Sequence, residues 1–146
     1  MNDLTKKLFE EMSKNNMGKK VQIPPPAIKG LEGTLLAHIP GKSVQWSFPI
    51  KESYNNPFGI TFGGYYGMFF DAAMGPFSGV AAKKPTTSLD MNITFLKPLS
   101  PEDKTVVIDV EAVSISKSYL LLSAKAHSGR GVLVATCTSR MLILNR

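Results

Sequence analysis

Gly63-Gly64-Tyr65-Tyr66-Gly67-Met68-Phe69-Phe70-Asp71-Ala72-Ala73-Met74-Gly75 is a long apolar stretch that carries one charge. Its aromatic and alanine-rich composition predicts a helix running to about Val80, and the sequence leaves open whether Gly75-Pro76 interrupts it. A helix apolar nearly all round is a buried helix, so the rest of the chain is expected to curl around it. Asp71 is the anomaly in that setting. An ionised carboxylate among apolar side chains pairs, changes its ionisation or takes part in chemistry. The structural alternative is that Asp71 caps a second helical segment beginning at Ala72. Because helical pattern continues on both sides, function is favoured over capping.

Upstream, Glu52 to Phe62 contains Asn55-Asn56-Pro57 and Gly59, the marks of a loop. Before it, Thr34 to Ile39 and Ser43 to Lys51 are strand-like, joined at Gly41-Lys42, with Val44, Trp46, Phe48 and Ile50 alternating in the second. Downstream lie four more strand-like runs: Thr86 to Leu96, Thr105 to Ser116, Tyr119 to Ser128 and Val132 to Leu144. The first of these places Leu89, Met91, Ile93 and Phe95 on one face and Ser88, Asp90, Asn92 and Thr94 on the other. Lys117-Ser118 and Gly129-Arg130-Gly131 read as tight connections, which makes the late sheet antiparallel. The fold class is therefore α+β, with about six antiparallel strands around one long hydrophobic helix.

At the N-terminus, residues 3 to 16 form an amphipathic pattern with Leu4, Leu8 and Met12 at helical spacing, expected to pack on the surface of the main body. Pro24-Pro25-Pro26 then extends the chain as a linker. We divide the chain into an N-terminal helix and linker over 1–30 and a main domain over 31–146.

With 146 residues and 43% hydrophobic content, the chain suits one globular domain. Seventeen Lys and Arg against eleven Asp and Glu give +6, a general preference for anions, but the basic residues are scattered and no nucleic-acid motif accompanies them. Cys137 is the single cysteine, and His38 and His127 lie apart in sequence, so neither an internal disulfide nor a metal cluster is expected. No run has the length of a membrane span, and Met1-Asn2-Asp3-Leu4-Thr5-Lys6-Lys7 lacks the apolar core of a secretory signal, which points to the cytoplasm.

Two segments, "NPFGITFGGYYGMFFDAAMG" and "TSLDMNITFLKP", together with this order of elements, resemble the hot-dog fold. Within it the resemblance is to the PaaI-like acyl-CoA thioesterases of the 4-hydroxybenzoyl-CoA thioesterase superfamily, and it covers roughly Val44 to the C-terminus. The resemblance implies hydrolysis of an acyl-CoA thioester, with no cofactor beyond the coenzyme A of the substrate. It implies that Asn56 holds the thioester and its water, that the Gly63 backbone N–H polarises the carbonyl, that Asp71 is nucleophile or general base, and that Ser88 positions the water. It also implies a homo-oligomer, a dimer or a dimer of dimers, in which the loop amide and glycine come from one chain and the carboxylate from another. The family loop usually reads His-Gly-Gly, and here Phe62 precedes the glycines. That departure keeps an alternative in view, a catalytically weak hot-dog protein that binds acyl-CoA or fatty acyl ligands.

The residues support this chemistry on their own terms. Thioester hydrolysis needs a base or nucleophile and donors aimed at the developing oxyanion. The opening turn of a helix after Gly63-Gly64 offers unsatisfied N–H groups, and glycine permits close approach. Gly67 and Gly75, four residues either side of Asp71, are expected to open a slot beside the carboxylate. Phe62, Gly64, Met68 and Lys97 are the candidate substrate-binding residues, Lys97 as a partner for coenzyme A phosphates. Taken alone, Asn56 reads as a turn initiator and Ser88 as part of a polar strand face.

Overall fold

Strand alternation, which the sequence carries most clearly, is what builds the sheet in the computed structural model, which describes residues 1–14 and 20–144. The helices are α1 (Asp3–Ser13), α2 (Pro26–Leu31) and α3 (Gly63–Ala82). The strands are β1 (Thr34–Ile39), β2 (Ser43–Pro49), β3 (Thr86–Phe95), β4 (Thr105–Ile115), β5 (Tyr119–Ser128) and β6 (Leu133–Ile143). All six join one antiparallel sheet in the order β1-β2-β4-β5-β6-β3, leaving β1 and β3 as its edges. β3 follows α3 in the chain but pairs with the last strand. The helix is thereby carried across the sheet, packing on β2 through β6.

Each central strand buries every second side chain against α3. Val44, Trp46 and Phe48 of β2, Val106, Ile108 and Val110 of β4, and Leu120, Leu122 and Ala124 of β5 are all buried. Phe48 stacks on Phe69 of α3 with ring centroids 5.2 Å apart, and Trp46 stacks on Phe48 at 5.9 Å. These contacts join the flanking β2 and the helix into one core.

α3 is continuous through Gly75-Pro76. Pro76 lacks the N–H that would reach back one turn, yet the helix holds because the residues around it, Met74 and Phe77, are fully buried against the sheet. Continuity also removes the capping explanation for Asp71, which lies mid-helix. The helix is not buried all round, however. Tyr66, Phe69, Phe70, Ala73 and Met74 face the sheet, whereas Gly64, Met68 and Asp71 are exposed on the opposite side. Asp71 thus escapes the desolvation expected of it, because its face of the helix looks away from the core.

The N-terminal segment differs from expectation in two respects. α1 does more than rest on the surface: Leu8 and Phe9 are part of the buried core, and Phe9 meets Trp46 with centroids 6.1 Å apart. Asn2 caps α1, its side chain accepting from the Thr5 N–H at 2.9 Å and donating to the Leu35 carbonyl at 2.9 Å, which fastens the helix to β1. The proline run does not remain extended either. Pro26 occupies the first helical position, where its missing N–H costs nothing, and α2 follows across the expected boundary at residue 30. Residues 15 and 16, read as the end of the first helix, lie outside the described residues.

Candidate active site

Asp71 is exposed on α3 and has one defined partner: the Ser88 hydroxyl donates to its Oδ1 at 2.8 Å. Simple alternation along β3 would place Ser88 on the far face with Asp90, Asn92 and Thr94. The structure corrects this. A bulge between Ser88 and Asp90 shifts the register, so Ser88 pairs with Met141 and Asp90 with Arg140, leaving Leu89 as the extra residue. Beyond the bulge, Ile93 and Phe95 still face α3, since a methyl added at Gly67 would lie 3.6 Å from Ile93 Cδ1 and Phe95 packs edge-on to Tyr66 at 5.2 Å. Before it, Ser88 and Thr86 face α3 instead, Thr86 through a 2.6 Å hydrogen bond with Ser78.

The bulge is anchored by Asp90. Its carboxylate accepts from the Arg140 backbone N–H at 2.9 Å and from the guanidinium Nε and Nη2 at 2.7 and 2.6 Å. These bonds favour the charged form and hold the Asp90 carboxyl below its ordinary range. Ser139 Oγ donates to the Asp90 carbonyl at 2.6 Å. Nothing in residue spacing announces a bulge; the Asp90–Arg140 pair, fifty residues apart in sequence, is the signal that sequence reasoning missed.

The second part of the site is the loop before α3. The Asn56 carboxamide oxygen accepts from the Phe58 and Ile60 N–H groups at 2.9 and 3.3 Å, and the Asn56 N–H donates to the Ile60 carbonyl at 2.7 Å. Asn56 therefore shapes the loop, as its turn chemistry predicts, while its Nδ2 has no partner among the described residues. The loop is seated by Thr61 N–H donating to the Leu99 carbonyl at 2.8 Å and Phe62 N–H donating to the Tyr54 carbonyl at 2.9 Å. Tyr54 stacks on Tyr65 in the first turn of α3 at 4.2 Å.

Phe62 occupies the N-cap of α3 without a side-chain cap, so the N–H groups of Gly63 and Gly64 have no partner among the described residues. A methyl at Gly63 would lie 3.2 Å from the Phe95 ring, a tight fit that explains glycine there; at Gly64 it would meet nothing within 4 Å. Phe62 and Met68 are exposed beside these positions. Lys97 projects from the exposed segment after β3, and its carbonyl accepts the Tyr66 hydroxyl at 3.1 Å, tying that segment to the helix. Burial raises the pKa of that hydroxyl.

The expected slot around Asp71 is one-sided. On the Gly67 side Ile93 of β3 closes the space, whereas on the Gly75 side an added methyl meets no other part of the described residues within 4 Å. There a cavity of about 620 Å³ begins, lined by Asp71, Met68, Ala72 and Gly75 among others. Cys137 is buried, and desolvation pushes its thiol up to about 11, so it is no thiolate nucleophile at neutral pH. His127 lies 3.6 Å from Asp109 on strands β5 and β4, away from α3's exposed face. Among the described residues no three His, Cys, Asp or Glu side chains form a metal-binding group, and no helix is long and apolar enough to cross a membrane.

Sheet order, the central helix and the Ser88–Asp71 pair at its exposed face define a hot-dog protein with a carboxylate-centred candidate site. The model of the thioesterase superfamily matches residues 58–135, more than half of the chain, and the chain belongs to that superfamily. Among solved structures, the fold is similar to the Escherichia coli PaaI protein from the phenylacetic acid degradation operon, with TM-score 0.79, 13% identity, and coverage of 94% of this chain and 96% of that one. It is also similar to a phenylacetic acid degradation-related protein from Ralstonia eutropha JMP134, with TM-score 0.73, 23% identity, and coverage of 91% and 99%. AziG of S. sahachiroi gives TM-score 0.76 at 16% identity, covering 82% and 97%. No curated protein sequence matches the chain.

Proposed function

We propose that the protein hydrolyses an acyl-CoA thioester, with Asp71 as the general base. The observation that carries this reading is the Ser88–Asp71 hydrogen bond, with Asp71 in the wall of a mainly apolar cavity. Ser88 occupies Oδ1 and fixes the carboxylate plane, leaving Oδ2 to take a proton from water as that water attacks the thioester carbon. Negative charge moves to the carbonyl oxygen, and the uncapped N–H at Gly63 is the donor suited to it. Collapse of the tetrahedral adduct breaks the C–S bond, and the proton held by Asp71 passes to the departing coenzyme A sulfur. The products are the free acid and coenzyme A. Gly64 and Phe62 border the thioester, Met68 borders the acyl end, and Lys97 meets coenzyme A phosphates.

One chain does not suffice for this arrangement. Gly63 and Asp71 are eight residues apart on one helix, roughly 12 Å along its axis, too far for both to touch one carbonyl group. The reading therefore pairs Asn56 and Gly63 of one protomer with Asp71 and Ser88 of another. The β3 edge is suited to that pairing: its backbone edge is open, and Leu89, Phe95 and Leu96 are exposed there with Met68 of the adjoining helix.

Hydrolysis of a panel of acyl-CoA esters by the wild type and by Asp71→Ala tests the activity. A loss of at least about 100-fold in kcat/KM is expected for the variant, and equal background rates for both proteins would end the enzyme reading. Light scattering should find no free monomer at assay concentration. A second reading, acyl-CoA binding with little turnover, draws on Phe62, which is 52% exposed beside the uncapped helix start and brings no proton there. Phe62→His separates the two, since a gain in kcat is expected only if a missing loop proton donor limits the reaction.

A further inference from the structure

We infer that the cavity beside Asp71 is the acyl subsite of this reaction, that it takes an unbranched aliphatic chain of medium length, and that Met12 of α1 sets the length limit; this rests on the thioesterase reading above. Met68, Ala72, Gly75 and Gly79 recur at three- and four-residue spacing, so they form one stripe on α3 and one wall of the cavity. Met12 and Ile28 of the N-terminal segment form part of the opposite wall. The volume of about 620 Å³ falls within the range of small-molecule sites.

The two glycines mark a middle and an end. At Gly75 an added methyl meets nothing among the described residues within 4 Å, so the wall is open to them there. One turn further, at Gly79, it would touch Met12 Cγ at 3.5 Å, so α1 closes the cavity at that level. From Asp71 to Gly79 is about 12 Å along the helix, the extended length of roughly eight to ten carbons. A single aromatic ring placed against Asp71 would fill only about half of that run and leave the Gly79 end without contacts. Apart from Asp71, Lys20, Lys84 and Thr86 the lining is aliphatic and thioether, with a methionine near each end, which adapts to a flexible chain.

The test compares acetyl-, hexanoyl-, decanoyl-, tetradecanoyl- and phenylacetyl-CoA as substrates, with decanoate binding by calorimetry as a second readout. For Gly75→Leu, whose side chain enters the cavity, the ratio of decanoyl to acetyl kcat/KM is expected to fall about 30-fold. Met12→Ala, which opens the far end, should raise the tetradecanoyl to decanoyl ratio about tenfold. Equal proportional losses at every length in Gly75→Leu, or phenylacetyl-CoA as the best substrate, would overturn the subsite while leaving the hydrolase reading in place. If the wild type turns over none of the esters, the hydrolase reading fails, and decanoate binding lost in Gly75→Leu would still support the cavity as an aliphatic acyl site; decanoate binding equal in both proteins would overturn it.

Discussion

Asp71 owes its orientation to one hydroxyl. Among the described residues the Ser88 bond at 2.8 Å is the one hydrogen bond its carboxylate accepts, and the side chain is otherwise exposed. Removing the hydroxyl frees the carboxylate to rotate and costs alignment more than affinity. Ser88→Ala is therefore expected to lower kcat about tenfold with KM changed less than about threefold, and Ser88→Thr, which keeps the hydroxyl, should recover part of the loss; steady-state kinetics on one good acyl-CoA substrate decides it. Asp71 stood out in the sequence as a single charge among aromatic and small residues. Its exposure was not, because composition does not say which side of a nearly uniform helix the sheet will cover. Ser88 was legible only through resemblance, since period-two alternation assigns it to the wrong face.

Among elements, β3 shows where local pattern stops being informative. The strand itself and its limits to within a residue follow from alternation, as do the hairpins at Lys117-Ser118 and Gly129-Arg130-Gly131, whereas its place at the sheet edge comes from pairing with the last strand. The bulge is decided by a partner strand fifty residues away, and no window of local sequence contains both Asp90 and Arg140. If the Asp90–Arg140 pair holds the bulge, it also holds Ser88 toward α3. Asp90→Ala should then lower kcat by a similar factor to Ser88→Ala, and the double variant should lose little beyond either single one. Full additivity in that double-mutant cycle would show that the two residues act separately. Because the pair is solvent-exposed, little change in denaturation midpoint is expected.

At the scale of the whole molecule the N-terminal segment is part of the core, and the proline run hid this. Phe9 is fully buried against Trp46, so Phe9→Ala should cost about 3–5 kcal/mol by urea denaturation, whereas a helix merely resting on the surface would give less than about 1 kcal/mol. The same core sets an acid limit through His38. Its ring lies edge-on to Phe77 at 6.1 Å, its Nε2 is buried without a hydrogen-bond partner among the described residues, and burial lowers its pKa from the ordinary 6.5. The unfolded chain binds that proton more readily than the folded one. His38 thus contributes stability that is fully present above about pH 6.5 and is lost as pH falls through its lower folded value. Asp90 acts in a separate window, because its carboxyl is depressed from 3.8 and its contribution disappears only in stronger acid. Thermal midpoints measured from pH 8 downward should therefore be level to about pH 6.5 and then decline. In His38→Phe, which has no proton to take up, the first decline should vanish while the strongly acid one remains. An unchanged profile in that variant would assign the first decline to another group.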